Sequence, residues 1–403
     1  MYERDHLKRS TFSFFDLLVL LIFIFTITTL LQRLFGSFSI NTIIGGLIAV
    51  LVMGICFVRF RPRHAYMMIL SMICFLSAMF QASSFSIEVR EWIYYITTVF
   101  LMNLLSTDEN LQQITRSLFR FRKIIRAIVN LTCVFLAALL FRGIGYQEKW
   151  GEGRYFIGLC NEPHTMASVC CLLLALIVLY YRQFASRKLW YALIALIPTF
   201  AILQTGARVF LIPAAIYMVM VINDSVHHPI TRFIIYALSL AAFVYFILQS
   251  SMANKFLYAL DTRWADSLLD AFTSGRSEIW ATDINKYLSG NPLQLLVGSS
   301  FSQMYAVNNS ILDLNIGSHN DIIGLLNGTG LIGAVQYLLI LYPVFRKIHF
   351  SIQKRFDKIL CMSYIILPLL LNGFYTYQHY VYSFFVLFIL INFNNREVYT
   401  IYE

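Results

Sequence analysis

The sequence predicts an all-α polytopic membrane protein of about twelve transmembrane helices, and three observations lead there. Of 403 residues, 59% are hydrophobic and 13% charged, against about 25% charged in an ordinary soluble domain. Apolar runs of bilayer-crossing length recur along the whole chain. Basic residues gather in every second connection, the asymmetry that sets orientation in a bilayer. Residues 1–403 therefore read as a single transmembrane domain.

Taken in order, the expected spans are 12–31, 38–58, 65–84, 91–106, 124–142, 165–181, 189–204, 208–222, 232–250, 320–344, 359–375 and 380–393, most close to the roughly 20 residues that cross a hydrocarbon core. The first is read as a span because 14–31 is long enough to cross and no small-residue cleavage site follows it. With Arg4, Lys8 and Arg9 on the cytoplasmic side, alternate connections hold RFRPR at 59–63, the FRFRK run with Arg116 and Arg126, Arg182 with Arg187 and Lys188, and FRK and KRFDK within 345–358. This places 21 of the 31 Lys and Arg on one side and 10 on the other. Both termini are expected in the cytoplasm, and the net charge of +10 is a topology signal, not a nucleic-acid footprint. Seven cysteines form no CxxC or Cys/His spacing, so neither a disulfide framework nor a zinc site is indicated.

This topology leaves two substantial polar segments facing outward, about 142–164 and about 250–319, the second between spans nine and ten. Smaller outward connections are 83–90 and the YTYQHY tip at 375–380. Loops held on a rigid scaffold are where binding and catalysis concentrate. Within the large loop, 276–288 reads as a short amphipathic helix with Ile279, Trp280, Tyr287 and Leu288 on one side, closed by Gly290 and Pro292. Such a helix suits the membrane surface.

Arg208, in QTGARVF between spans seven and eight, has apolar neighbours and no acidic partner nearby in sequence. An ionisable group at membrane depth is a functional candidate, with snorkelling to the interface as the ordinary alternative. Arg276 stands at a helix N-terminus, where the dipole disfavours a cation; it either solvates a surface helix or marks a bound anion such as phosphate. Three of the eight histidines face outward on this topology: His164, His319 and His379. His319 follows Gly317 and precedes Asn320 and Asp321, and an imidazole there can take a proton near neutral pH. Arg154, Glu162 and His164 in the smaller loop, with Asn320, Asp321 and His379, are further substrate-contact candidates. Tyr375, Tyr377 and Tyr380 suit either sugar stacking or an interfacial aromatic belt.

The chain has no Walker A, GxSxG or HExxH sequence and no DxD pair in an outward loop, so a soluble nucleotide-sugar donor is poorly supported. The outward motifs are GLCNEPHTMA at 158–167, TGAR at 205–208, SGRSEIW at 274–280, Gly298, and HND with GTGLIG within 319–333. Together and in this order they resemble the bacterial O-antigen polymerase and ligase superfamily. The resemblance implies a C-type multi-spanning glycosyltransferase (GT-C architecture) on the outer face of the cytoplasmic membrane, acting by inversion without metal or other cofactor. It implies that Arg208 and Arg276 bind the donor diphosphate and that His319 assists the acceptor hydroxyl. The substrate it implies is an undecaprenyl-diphosphate-linked oligosaccharide in membrane lipid, with a flippase and a chain-length regulator as pathway partners. Asp321 after the HN pair, and Ser299-Ser300 where a second glycine is common, depart from the family pattern.

The first expectation is a Wzy-type polymerase of capsule, exopolysaccharide or O-antigen repeat units, with a ligase of finished polymer as the alternative in the same chemistry. A lipid-linked oligosaccharide flippase or exporter is the alternative from another class. Charge-poor span centres and polar residues collected in the loops favour an enzyme.

Overall fold

The computed structural model describes residues 12–35, 40–59, 62–148, 153–182, 188–249 and 276–392. Much of the large loop, 250–275, with Ser274 and Gly275 of the SGRSEIW run, lies outside the described residues. Within them the chain is helical apart from one antiparallel hairpin, which pairs Tyr146–Glu148 with Arg154–Phe156.

The first six helices are α1 (Phe14–Leu30), α2 (Ile40–Val58), α3 (Pro62–Gln81), α4 (Phe85–Leu105), α5 (Asp108–Arg120) and α6 (Arg122–Phe141). After the hairpin come α7 (Pro163–Tyr181), α8 (Lys188–Gln204), α9 (Leu211–Ser225) and α10 (Pro229–Gln249). The remainder are α11 (Arg276–Leu288), α12 (Pro292–Val297), α13 (Phe301–Leu312), α14 (Asp321–Ser351), α15 (Arg355–Leu371) and α16 (Gln378–Asn392). A helix lies on each of the twelve expected segments, and six helical stretches are long and apolar enough to cross a membrane by length and composition. This is the architecture of an all-α membrane protein.

Two helices form its centre. Every residue of α7 from Met166 onward is buried, as are Gln378 to Leu390 of α16, and a helix that is apolar all round belongs inside a bundle. Pro163 starts α7 where its missing N–H costs nothing. By contrast, no residue in the apolar window of α10 is buried against the rest of the chain.

Two departures from the sequence expectation have clear causes. The basic stretch expected as a connection contains α5, whose Leu111, Ile114 and Leu118 recur on one helical face and are buried. Helix α4 starts six residues before the expected span at 91, because its charges find partners: Arg90 pairs with Glu91 at 3.0 Å, and Glu88 accepts from Trp92 Nε1 at 2.9 Å and Ser302 N at 2.8 Å.

One end of the bundle collects pairs between basic and acidic residues: Arg59 with Glu109, Arg120 with Asp16, Arg182 with Asp224, and Lys347 with Asp108. The other end carries the hairpin, α11 to α13, and the turns that precede α7, α9, α14 and α16.

Helix α14 is broken at Gly330, which adopts φ 66° and ψ −170°. A Cβ on Gly330 would stand 2.4 Å from both the Gly298 nitrogen and the Leu296 carbonyl oxygen, and one on Gly298 would stand 2.6 Å from the Gly328 carbonyl. The GTGLIG motif and Gly298 are thus two sides of one backbone-to-backbone contact. Lipid tails are as apolar as leucine, so helices in a bilayer associate through such close packing and not through hydrophobic exclusion.

Candidate functional site

Four elements bring the principal candidates together at the loop-bearing end of the bundle. Arg208 begins a single 3-10 turn, Arg208–Phe210, that leads into α9. It is aimed by the Thr205-Gly206 bend. Thr205 Oγ1 accepts from the Ala207 nitrogen at 3.3 Å, and the Tyr155 ring of the hairpin covers Gly206 so closely that a Cβ there would lie 2.6 Å away. Gly206, at φ 66°, meets both the steric and the backbone demand because it has no Cβ.

Arg276 opens α11. Its guanidinium donates to the Leu371 carbonyl oxygen, and to Asn372 Oδ1 at 3.3 Å, at the end of α15. Burial, together with the nearby positive charge of Arg208, lowers its pKa to about 10, while the Tyr377 hydroxyl acts in the opposite direction. Two arginines from sequence-distant elements therefore share one half-buried site. Burial raises the Tyr377 phenol, Arg276 opposes the shift, and Glu162 and Glu91 add to it.

The imidazoles lie beside this pair. His164, on the first turn of α7, has its ring 6.4 Å from His319, 5.9 Å from Tyr377 in a stacked arrangement, and 6.2 Å from Phe210. His319 is the residue before the α14 N-cap and adopts a left-handed conformation at φ 50°, which non-glycine residues enter at a cost of roughly 1–2 kcal/mol. The flanking turn enforces it: Ser318 Oγ donates to the Asn320 carbonyl oxygen at 2.8 Å, and Trp280 Nε1 donates to the Ser318 carbonyl oxygen at 2.8 Å.

The secondary candidates fall into three kinds of place. Asn320 caps α14, with Oδ1 accepting from the Ile322 and Ile323 nitrogens at 3.0 and 3.2 Å, while its Nδ2 donates to the Leu370 carbonyl oxygen at 3.0 Å. Asp321 is 2% exposed, and its Oδ2 accepts from the Phe374 and Tyr375 nitrogens and the Tyr337 hydroxyl at 2.9, 3.2 and 3.1 Å; it ties the 372–377 turn to the start of α14. His379 is buried within α16, its ring stacked on Phe25 with centroids 4.9 Å apart. Glu162 and Arg154 are exposed, at the α7 N-cap and on the hairpin.

The sequence reading passed over Arg90, Glu91 and Tyr305. Glu91, 3% exposed, accepts from Arg90 at 3.0 Å and from the Tyr305 hydroxyl at 3.0 Å, and its charge also acts on Tyr377. The signal was present in the EVRE run at 88–91, which puts Glu88 and Glu91 one turn apart on the same face at the start of an apolar helix.

Among the described residues no group of three or more His, Cys, Asp and Glu is placed to hold a metal. The site combines two arginines, two imidazoles and aromatic rings, with Glu91 and Glu162 near enough to act on Tyr377. No protein-family model, curated protein or solved structure matches the chain.

Proposed function

We propose that the chain is a polysaccharide polymerase that joins undecaprenyl-diphosphate-linked repeat units at the outer face of a bacterial cytoplasmic membrane. The observation that carries this reading is the convergence of Arg208 and Arg276 beside His164, His319 and Tyr377. The Arg208 charge acts on Arg276, and a diphosphate has oxygens enough to contact both guanidinium groups at once. Guanidinium groups do this through planar, two-pronged contacts that an ammonium does not reproduce.

In the proposed reaction the acceptor sugar hydroxyl attacks the anomeric carbon of the donor. The new glycosidic C–O bond forms as the bond to the diphosphate oxygen breaks, and undecaprenyl diphosphate leaves with the electron pair. The hydroxyl proton passes to the neutral His319 imidazole. A single displacement inverts the anomeric centre. The arginines stabilise charge as it grows on the leaving oxygen, the term that most often dominates catalysis of this kind. The GT-C type, the twelve-span topology and the cytoplasmic termini belong to the same proposal.

The test is to incubate the purified protein in lipid with a synthetic undecaprenyl-diphosphate repeat unit and resolve the products by size. A ladder of multiples is expected. A single transfer to an added foreign acceptor, with no ladder, would replace polymerase by ligase; neither product, with movement of the lipid across the bilayer, would make the protein an exporter.

A further inference from the structure

Asp283 lies two turns along α11 from Arg276, on the same face of the helix, and is fully buried between α13 and α14. Neither of its carboxylate oxygens has a hydrogen-bond donor among the described residues. The Asn308 side chain of α13 lies against the carboxyl and opposes the rise in its pKa, and its Nδ2 donates to the Ile316 carbonyl oxygen at 3.0 Å. On the other side, Asn327 of α14 donates from Nδ2 to the Asp283 backbone carbonyl at 2.9 Å. Asn308 Oδ1 and Asn327 Oδ1 are themselves buried without a donor, and the two residues are 0% and 1% exposed. Three residues from three helices, with Asn308 against the Asp283 carboxyl and Asn327 bonded to the Asp283 backbone, thus leave four buried acceptor oxygens unsatisfied.

An unsatisfied buried acceptor costs roughly 1–3 kcal/mol, and more when charged, so one such atom is an oddity and four on residues in mutual contact call for a partner. Burial raises the Asp283 pKa to about 7, with the Asn308 side chain acting in the opposite direction. A single proton would satisfy one carboxyl oxygen and, through its O–H, at most one carboxamide oxygen, leaving two acceptors as they are. A hard cation accepts several oxygen donors at once, carboxylate and carboxamide alike. One carboxylate with neutral amides matches a single positive charge, since a divalent ion would leave a net charge buried.

We propose that Asp283, Asn308 and Asn327 form a binding site for a monovalent alkali cation of the sodium class, which fastens α11 to α13 and α14. The site is separate from the cationic cluster that includes Arg276, and its role is positional: α11 carries Arg276 seven residues before Asp283, so the ion holds the helix in the register that presents the arginine. The cation binds whether or not the polymerase reading is correct.

The experiment compares apparent melting temperatures of the purified, lipid-reconstituted protein at pH 8 in sodium chloride and in choline chloride of equal ionic strength. Sodium is expected to give a saturable rise of roughly 2–5 °C, absent in Asp283→Asn. Equal stability in both salts, or an undiminished sodium increment in Asp283→Asn, would overturn the proposal and leave water or a proton at the site. Should Asp283→Asn fail to insert, Asn308→Asp decides: a second carboxylate is expected to lower stability in choline and enlarge the rise on adding sodium or calcium. No cation-specific rise in that variant also overturns it.

Discussion

Trp280 Nε1 donates a 2.8 Å hydrogen bond to the Ser318 carbonyl oxygen, and this bond fastens the helix that carries Arg276 to the turn that carries His319. The proposed diphosphate contact and the proposed base are therefore positioned by one shared link. Trp280→Phe keeps most of the ring packing and removes the donor. It is expected to cost about 1 kcal/mol of stability and to slow ladder formation roughly tenfold, since small errors in the placement of reacting groups are expensive. Wild-type rates in a variant with the expected loss of stability would show that the link braces the fold alone.

Arg208→Lys and Arg276→Lys are each expected to insert normally and to lose about 100-fold in polymerisation rate, the typical effect of removing one contact that strengthens in the transition state. Both variants retaining full activity would reduce the arginines to structural residues.

The proximity of the two arginines predicts a distinct signature. Arg208→Gln removes a charge that helps lower the Arg276 pKa to about 10, and it is expected to abolish stabilisation by a diphosphate lipid. Donor affinity of the unsubstituted protein is expected to fall as pH rises through about 10, where Arg276 loses its proton. The stability term runs the other way. Between about 10 and the unperturbed 12.5 the unfolded chain binds more protons than the folded one, so this group contributes increasing stability with rising pH. Equal donor affinity at about pH 9 and pH 11 would argue against charge pairing at Arg276.

His319→Asn separates chemistry from conformation. Asparagine tolerates the left-handed backbone at this position, so the turn and the α14 cap are expected to survive, with stability within about 0.5 kcal/mol and donor binding retained. Chain growth is expected to stop, because the carboxamide cannot accept the acceptor proton. Normal polymer from this variant would remove His319 from the base role.

Orientation is open to direct measurement, because all seven native cysteines are buried and give little background labelling. Ser310→Cys on α13 and Ser351→Cys at the far end of α14 are both at exposed positions. An impermeant thiol reagent added to intact cells is expected to label position 310 alone. Labelling at 351 instead would invert the bundle and move the site to the cytoplasmic face.

What the sequence determined by itself was local in origin. Helix positions follow from the length of apolar runs, the start of α7 from Pro163, and the interest of Arg208, Arg276 and His319 from polar or charged groups set against an apolar background. Period and polarity are properties of neighbouring residues, so they can be read without the fold. Only the tertiary structure decided which distant groups meet. Nothing in one dimension says that Tyr155 covers Gly206, that Gly298 and Gly330 are opposite sides of one contact, or that Asp321 turns away to hold the 372–377 backbone. The same holds for the missed Glu91 and Asp283. A charge beside an apolar run reads as the end of a span until a partner from another helix, such as Tyr305 for Glu91, makes its burial affordable, and pairing across helices depends on packing and not on sequence distance.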